Sequence, residues 1–217
     1  MIEATMKEKV KEFIVKNFKW IILFICLIGF LAIAENVFNK EIMNGDIVGY
    51  KLISTFLISD FATPIAKFIT NFGDAIFLTV LTIILFILIK NKKIGVSIFS
   101  NLVIITALNQ LLKNILQRPR PTEYRIIEET GYSFPSGHSM ISMAFYGYII
   151  YLIYKYVKNK YIKWISIVLL SILICSIGIS RIYLGVHYTS DVLGGFLISV
   201  SYLVIYISAV NKFLIEK

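Results

Sequence analysis

An all-α, six-transmembrane-helix bundle is the fold class this sequence predicts, and three observations predict it. Hydrophobic residues make up 58% of the 217 residues and charged ones 16%, with a mean hydropathy of +0.79, well away from the profile of a soluble globular domain. Six segments approach the roughly 20 apolar residues needed to cross a hydrocarbon core. They are 19–38, 73–89, 94–113, 138–157, 162–180 and 190–210. Within them apolar residues surround the helix instead of forming one stripe, as lipid-exposed or bundle-buried spans require. No polar block between them is long enough to fold separately, so residues 1–217 are expected to form one domain.

The first segment follows Lys7, Lys9, Lys11, Lys16 and Lys19. No small-residue cleavage site leading into a soluble region comes after it, which makes it a retained helix. Residues 39–72 then carry Lys40, Glu41, Asp46, Lys51, Asp60 and Lys67 among Ile47, Phe56, Phe61 and Phe68. That mixture predicts an amphipathic interfacial segment between helices 1 and 2, either covering the bundle or shaping lipid access to a site. Cys26 and Cys175 both fall inside apolar runs, where cysteine packs as a small hydrophobe.

A net charge of +9 raises the question of nucleic acid, but 18 of the 22 basic residues are lysines in short patches beside the apolar segments. Membrane topology explains that distribution, and no nucleic-acid partner is expected. With both termini cytoplasmic, one side of the bilayer receives 14 of the 22 basic residues, all lysines. The other receives eight, among them all four arginines: Arg118, Arg120, Arg125 and Arg181. Arginine presents a planar fork of donors suited to phosphate, so an anion is expected to bind on the extracytoplasmic face. For Arg118 and Arg125 the plainer alternative is contact with lipid headgroups or with Glu123, Glu128 and Glu129.

Three stretches meet on that predicted face. In KNILQRPRP, Lys113 stands seven residues before Arg120, and Pro119 and Pro121 should end the third span there. In PSGH, Ser136 is a plausible N-cap for the fourth span, Gly137 permits close backbone approach, and the free N–H groups of a helix start suit an anion. His138 beside them is placed to give a proton to a leaving oxygen at neutral pH. In SRIYLGVHYTSD, a sixth span beginning near Gly185 would set His187 and Asp191 on one helical face. The carboxylate would then fix the imidazole tautomer and support a nucleophilic nitrogen. Each feature alone is an ordinary cap, snorkelling cation or surface histidine. Two histidines, three phosphate-capable cations and a His–Asp pair together are a site.

The order and spacing K-x6-R-P, P-S-G-H and S-R-x5-H-x3-D resemble the three-part signature of the type 2 phosphatidic acid phosphatase superfamily, whose membrane branch has six helices. The match is complete at these positions; elsewhere the similarity is one of hydropathy. The resemblance implies a metal-independent, cofactor-free lipid phosphatase working through phosphohistidine. His187 would be the nucleophile, Asp191 its orienting partner and His138 the leaving-group acid. Lys113, Arg120, Ser136, Gly137 and Arg181 would hold the phosphoryl oxygens, while Pro121, Pro135 and Ser180 would be framework. A metal is disfavoured on charge grounds too, because Lys113, Arg120 and Arg181 repel a cation.

The substrate implied is a lipid phosphate drawn from the bilayer, first undecaprenyl pyrophosphate, alternatively phosphatidylglycerophosphate or phosphatidic acid. Competing classes are a non-catalytic lipid-phosphate binder or transporter, which would need the cations but no positioned nucleophile, and a phosphatase of soluble monoesters. A haloperoxidase, which shares a similar anion site, is disfavoured by the membrane spans. Oligomeric state is not legible.

Overall fold

The computed structural model describes residues 2–215, with side chains from Val15 to Leu214, and every regular element among them is helical. The α-helices are α1 (Ile2–Phe38), α2 (Asn44–Phe56), α3 (Ala62–Thr70), α4 (Ala75–Leu88), α5 (Lys92–Leu116), α6 (Gly137–Tyr156), α7 (Lys160–Tyr183) and α8 (Thr189–Val210). A 3-10 turn, Asn71–Gly73, joins α3 to α4, and a π-turn, Asn211–Ile215, follows α8.

Local chemistry explains where several of these helices start and stop. Asp74, Asn91 and Asn159 cap α4, α5 and α7 by accepting the first free amides, for example Ile76 N at 2.7 Å and Lys93 N at 3.0 Å. Ser136 caps α6 through Ser139 N. At the end of α5, Gln117 turns into the left-handed region with φ 45°, two residues before Pro119.

α6 lies at the centre, packed against α5, α7 and α8, while α1 leans on α8. Its inward residues Met140, Ala144, Phe145 and Tyr148 form the core with Leu78 of α4, Ile98 and Ile105 of α5 and Ile177 of α7. Several hydroxyls in this core find partners within the protein, as hydrocarbon surroundings require, whereas the buried Asn101 side-chain amide has none among the described residues. Tyr148 donates to Ser97 Oγ at 2.8 Å, Ser199 to Met140 O at 2.7 Å, and Tyr146 to Phe72 O at 2.8 Å.

The expected count of six spans is not reached. Among the described residues, four helices are long and apolar enough to cross a membrane: α1 from Val15, α5, α7, and α8 with its π-turn. The α3–α4 pair, bent by 52°, makes a fifth if taken as one span. At 14 residues α4 alone is about 21 Å long, short of a core about 30 Å thick. α6 has 20 residues, yet His138, two serines, two glycines and five tyrosines lower its hydropathy; α6 is surrounded by other helices, so it does not need an apolar surface all round.

Residues 39–72 contain two short helices, α2 and α3. Their polarity runs inside out: Asp46 and Thr70 are buried, while Ile47, Phe56, Phe61 and Phe68 are exposed. These outward apolar residues are surface that water does not favour.

The α7–α8 turn holds the catalytic candidates in place through Gly185. Its φ is +70°, and a Cβ there would lie 2.0 Å from Tyr124 O, where the turn crosses the 117–136 loop. Ile126 N bonds Leu184 O at 3.0 Å beside it. Gly185→Ala should therefore cost about 1–3 kcal/mol, read as a lowered thermal unfolding midpoint in detergent; an unchanged midpoint would disprove this tight crossing.

Candidate active site

The sequence-predicted residues gather at one end of the bundle. Lys113 is in the last turn of α5, Ser136 at the N-cap of α6 with Gly137 and His138 in its first turn, Arg181 in the last turn of α7, His187 in the α7–α8 turn and Asp191 in the first turn of α8. Arg120 reaches them from the α5–α6 loop.

His187 and Asp191 meet, although not on one helical face. α8 begins at Thr189, so His187 precedes the helix and Asp191 is its N3 residue. Asp191 Oδ2 reaches back to accept Tyr188 N at 2.9 Å, and the same oxygen faces His187 Nδ1 at 3.3 Å. One carboxylate therefore caps α8 and orients the imidazole. Ser133 Oγ donates to Asp191 Oδ2 and lies 3.3 Å from His187 Nδ1. On the ring's other side Arg120 Nη1 donates to His187 Nε2 at 3.0 Å. A guanidinium only donates, so Nε2 carries the lone pair and Nδ1 the proton.

His187 is buried, and burial is the main cause holding its pKa down to about 4. Arg181 and Arg120 add to the depression; the hydrogen bond and charge of Asp191 oppose it. The imidazole is neutral at pH 7 and available as a nucleophile.

The arginines have different main partners. Arg120 is fixed by carbonyls, donating to Thr130 O at 2.9 Å, Gly131 O at 3.0 Å and Val186 O at 3.0 Å. Arg181 donates to Thr70 Oγ1 at 2.8 Å and to the Glu129 carboxylate, and its Nε is buried without a partner among the described residues. Glu129 Oε1 also lies 4.0 Å from Arg120. Burial alone would raise the Glu129 pKa, but the Arg181 charge and hydrogen bond, with Arg120 beyond, hold the carboxyl below its usual range. Lys113 Nζ donates to Tyr132 O and, at 3.5 Å, to Ser133 O. His138 has no hydrogen-bond partner among the described residues; its Cδ2 and Cβ lie against Gly73, 3.2 and 3.3 Å from where a Cβ there would stand. Gly137 lies against Asn109 and Lys113, and Ser136 N bonds Asp191 O at 3.1 Å.

Four participants were not expected from the sequence. Ser133 and Glu129 sit in the α5–α6 loop, and Arg118 and Asp46 lie behind Asp191. Arg118 is neither headgroup-facing nor paired with a nearby glutamate. It bridges Asp191 Oδ1 and Asp46 Oδ2, each at 2.7 Å, and donates to Ser190 Oγ at 2.7 Å. Arg125 does keep local company, at 3.8 Å from Glu128.

A groove of about 730 Å³ between α2 and the 121–124 stretch is lined by Ile47, Tyr50, Tyr124, Gly185, His187 and Tyr188 among others. A separate cavity of about 800 Å³ between α1, α6, α7 and α8, lined by Lys19, Gly147, Cys175 and Asn211, contains none of the residues above.

Comparison with known proteins follows this geometry. Residues 92–215, more than half of the chain, match the PAP2 superfamily. Phosphatidylglycerophosphatase B of Bacillus subtilis (strain 168) is 40% identical over 90 residues, a match spanning 41% of this chain and 44% of that protein. The undecaprenyl-diphosphatase of Sulfolobus acidocaldarius is 27% identical over 195 residues, spanning 84% and 86% of the two chains. In three dimensions the chain is similar to the crystal structure of a transmembrane PAP2-type phosphatidylglycerolphosphate phosphatase from Bacillus subtilis, with a TM-score of 0.77 and 26% identity over 88% of this chain and 96% of that one. Carrying an arginine-lined imidazole–carboxylate pair at the mouth of a helical membrane bundle, the chain belongs to the PAP2 superfamily.

Proposed function

We propose that the chain is a metal-independent phosphatase of membrane lipid phosphates, acting through a phosphohistidine on His187. The observation that carries this reading is the state of the His187 ring, with its protonated Nδ1 on Asp191 and its Nε2 lone pair turned to Arg120. A phosphoryl group that draws Arg120 to itself frees that lone pair. Nε2 then attacks phosphorus, the bond from phosphorus to the lipid oxygen breaks, and His138 in its imidazolium form gives a proton to that oxygen and is left neutral. Asp191 stabilises the positive charge that develops on the ring. Water next attacks the phosphohistidine, its proton passes to His138, and phosphate leaves with Nε2 restored.

Arg120, Arg181 and Lys113 surround the phosphoryl oxygens in this reading, and Ser136 and Gly137 offer the amides of the α6 start. The spare Nε of Arg181 is one donor for that purpose. The same three cations oppose a metal ion.

The aromatic and apolar groove at His187 supports an amphiphilic substrate. Undecaprenyl pyrophosphate is the first choice, favoured by a relative named for it that aligns over 84% of this chain. Phosphatidylglycerophosphate is the second, favoured by the more identical Bacillus subtilis relative. We read α1, the α3–α4 pair, α5, α6, α7 and α8 as six spans, α6 being shielded at the centre. α2 lies at the interface, both termini and the lysine-rich loops are cytoplasmic, and the site faces outward.

Phosphate release in detergent with EDTA present should occur from at least one of undecaprenyl pyrophosphate, phosphatidylglycerophosphate and phosphatidic acid, and fall more than about 1,000-fold in His187→Ala. Inactivity of folded wild type on all of them would favour a lipid-phosphate binder, and preference for a soluble monoester would favour the other rival. The acid limb of kcat/KM should lie near pH 4, since protonation below the His187 pKa removes the nucleophile. Arg120→Gln removes a neighbouring cation and should move that limb to higher pH; a wild-type limb at the ordinary histidine value of about 6.5 would contradict the assignment. For orientation, a cysteine at Glu128 should react with an impermeant reagent from outside intact cells and one at Lys92 should not; the reverse pattern would invert the topology.

A further inference from the structure

We propose that Asp46, on α2, is a positioning residue for the catalytic pair, acting through Arg118 to hold and tune Asp191. This rests on the reading of His187 as nucleophile and Asp191 as its partner.

Asp46 is the buried polar residue of a short helix that otherwise turns Ile47, Val48, Leu52 and Phe56 outward. Its two oxygens have separate tasks. Oδ1 accepts Ser190 N at 2.8 Å, capping the first turn of α8 from another helix. Oδ2 accepts Arg118 Nη2 at 2.7 Å, while Arg118 Nη1 donates to Asp191 Oδ1 at 2.7 Å. Arg118 is further fixed by stacking on Tyr188, its Cζ 4.1 Å from the ring centre. Asp46 therefore grips both the backbone that carries Asp191 and the cation that clamps its outer oxygen. The other Asp191 oxygen is the one facing His187.

The charge arithmetic explains why a second acid is needed. An arginine paired only with Asp191 would draw charge from the carboxylate and weaken its hold on the imidazole proton. Shared between two buried carboxylates, Arg118 fixes Asp191 geometrically while the trio keeps one net negative charge against the imidazolium that forms. Docking of α2 is also close: a Cβ on Gly49, one turn beyond Asp46, would lie 2.2 Å from Thr189 Oγ1. The same helix face thus carries the acid and the small residue that lets it approach α8.

The test is steady-state kinetics of the full chain in detergent on whichever lipid phosphate the wild type hydrolyses. Asp46→Asn keeps the shape and loses the charge, and should lower kcat on the order of 10- to 100-fold, with KM changed less than about threefold. Asp46→Glu should recover part of that loss. Gly49→Leu, which leaves Asp46 intact but wedges α2 from α8, should lower kcat as well. Combining Asp46→Asn with Arg118→Met should cost no more than Arg118→Met alone, because the asparagine amide oxygen can still accept Ser190 N and the charge of Asp46 acts through Arg118. Wild-type kcat in Asp46→Asn, or losses that multiply in the double variant, would overturn the proposal. Because His187→Ala is measured alongside, the two readings fail separately: an active His187→Ala removes the nucleophile assignment, whereas a dead His187→Ala beside a fully active Asp46→Asn removes only the role of Asp46.

Discussion

Charge compensation inside a low-dielectric bundle is the constraint from which the rest of this structure follows. Arg118, Arg181 and Asp191 are all nearly or fully buried, and an unpaired ion there would cost several kcal/mol. Each finds its partner from a different helix or loop: Arg118 from α2 and α8, Arg181 from α3 and the α5–α6 loop, Asp191 from that loop and the α7–α8 turn. Pairing the charges therefore assembles the helices at this end, and assembling the helices forms the site. The hydrophobic core around Met140 and Phe145 has no such directionality; it fixes that the helices pack, while the ion pairs fix how their ends meet.

The placement of α6 shows the same constraint in another form. A helix with five tyrosines is a poor match for lipid, yet surrounded by α5, α7 and α8 its hydroxyls find Ser97, Phe72 O and Asn211. Its N-terminus, carrying Ser136 to His138, is then rigidly set beside the start of α8 through Ser136 N and Asp191 O. Polar helix and candidate site support each other, because the groups that would be expensive in hydrocarbon are used to fix the end that carries the imidazole–carboxylate pair.

Much of this was legible in the sequence. The spacing of Lys113, Arg120, Ser136, His138, Arg181, His187 and Asp191 is local within three stretches, and each stretch carries its own helix terminus, so their gathering at one end of the bundle could be anticipated. The helical-face argument for His187 and Asp191 missed because Gly185, with positive φ, continues the turn until Thr189; the two side chains meet across a helix cap. Length and hydropathy alone leave the six-span count unconfirmed, because α6 is packed among other helices and α4 borrows length from α3 across a bend. Asp46 was invisible for a different reason: it lies 72 residues from Arg118, and a single acid in an apolar stretch looks the same whether it faces water or a buried guanidinium.

Glu129 gives the arginine cradle a resident anion. With its carboxylate on Arg181 and close to Arg120, the basic pocket rests partly neutralised from within. On the phosphatase reading such a pocket would behave as an ion exchanger: an incoming phosphoryl group would gain only the difference between its own hold on the arginines and that of the carboxylate it displaces. A lipid-tethered phosphate adds its hydrocarbon anchor to that difference. Free orthophosphate has no anchor to add, so on the phosphatase reading the site tends to reclaim its own carboxylate, and product release is written into the resting ion pairs.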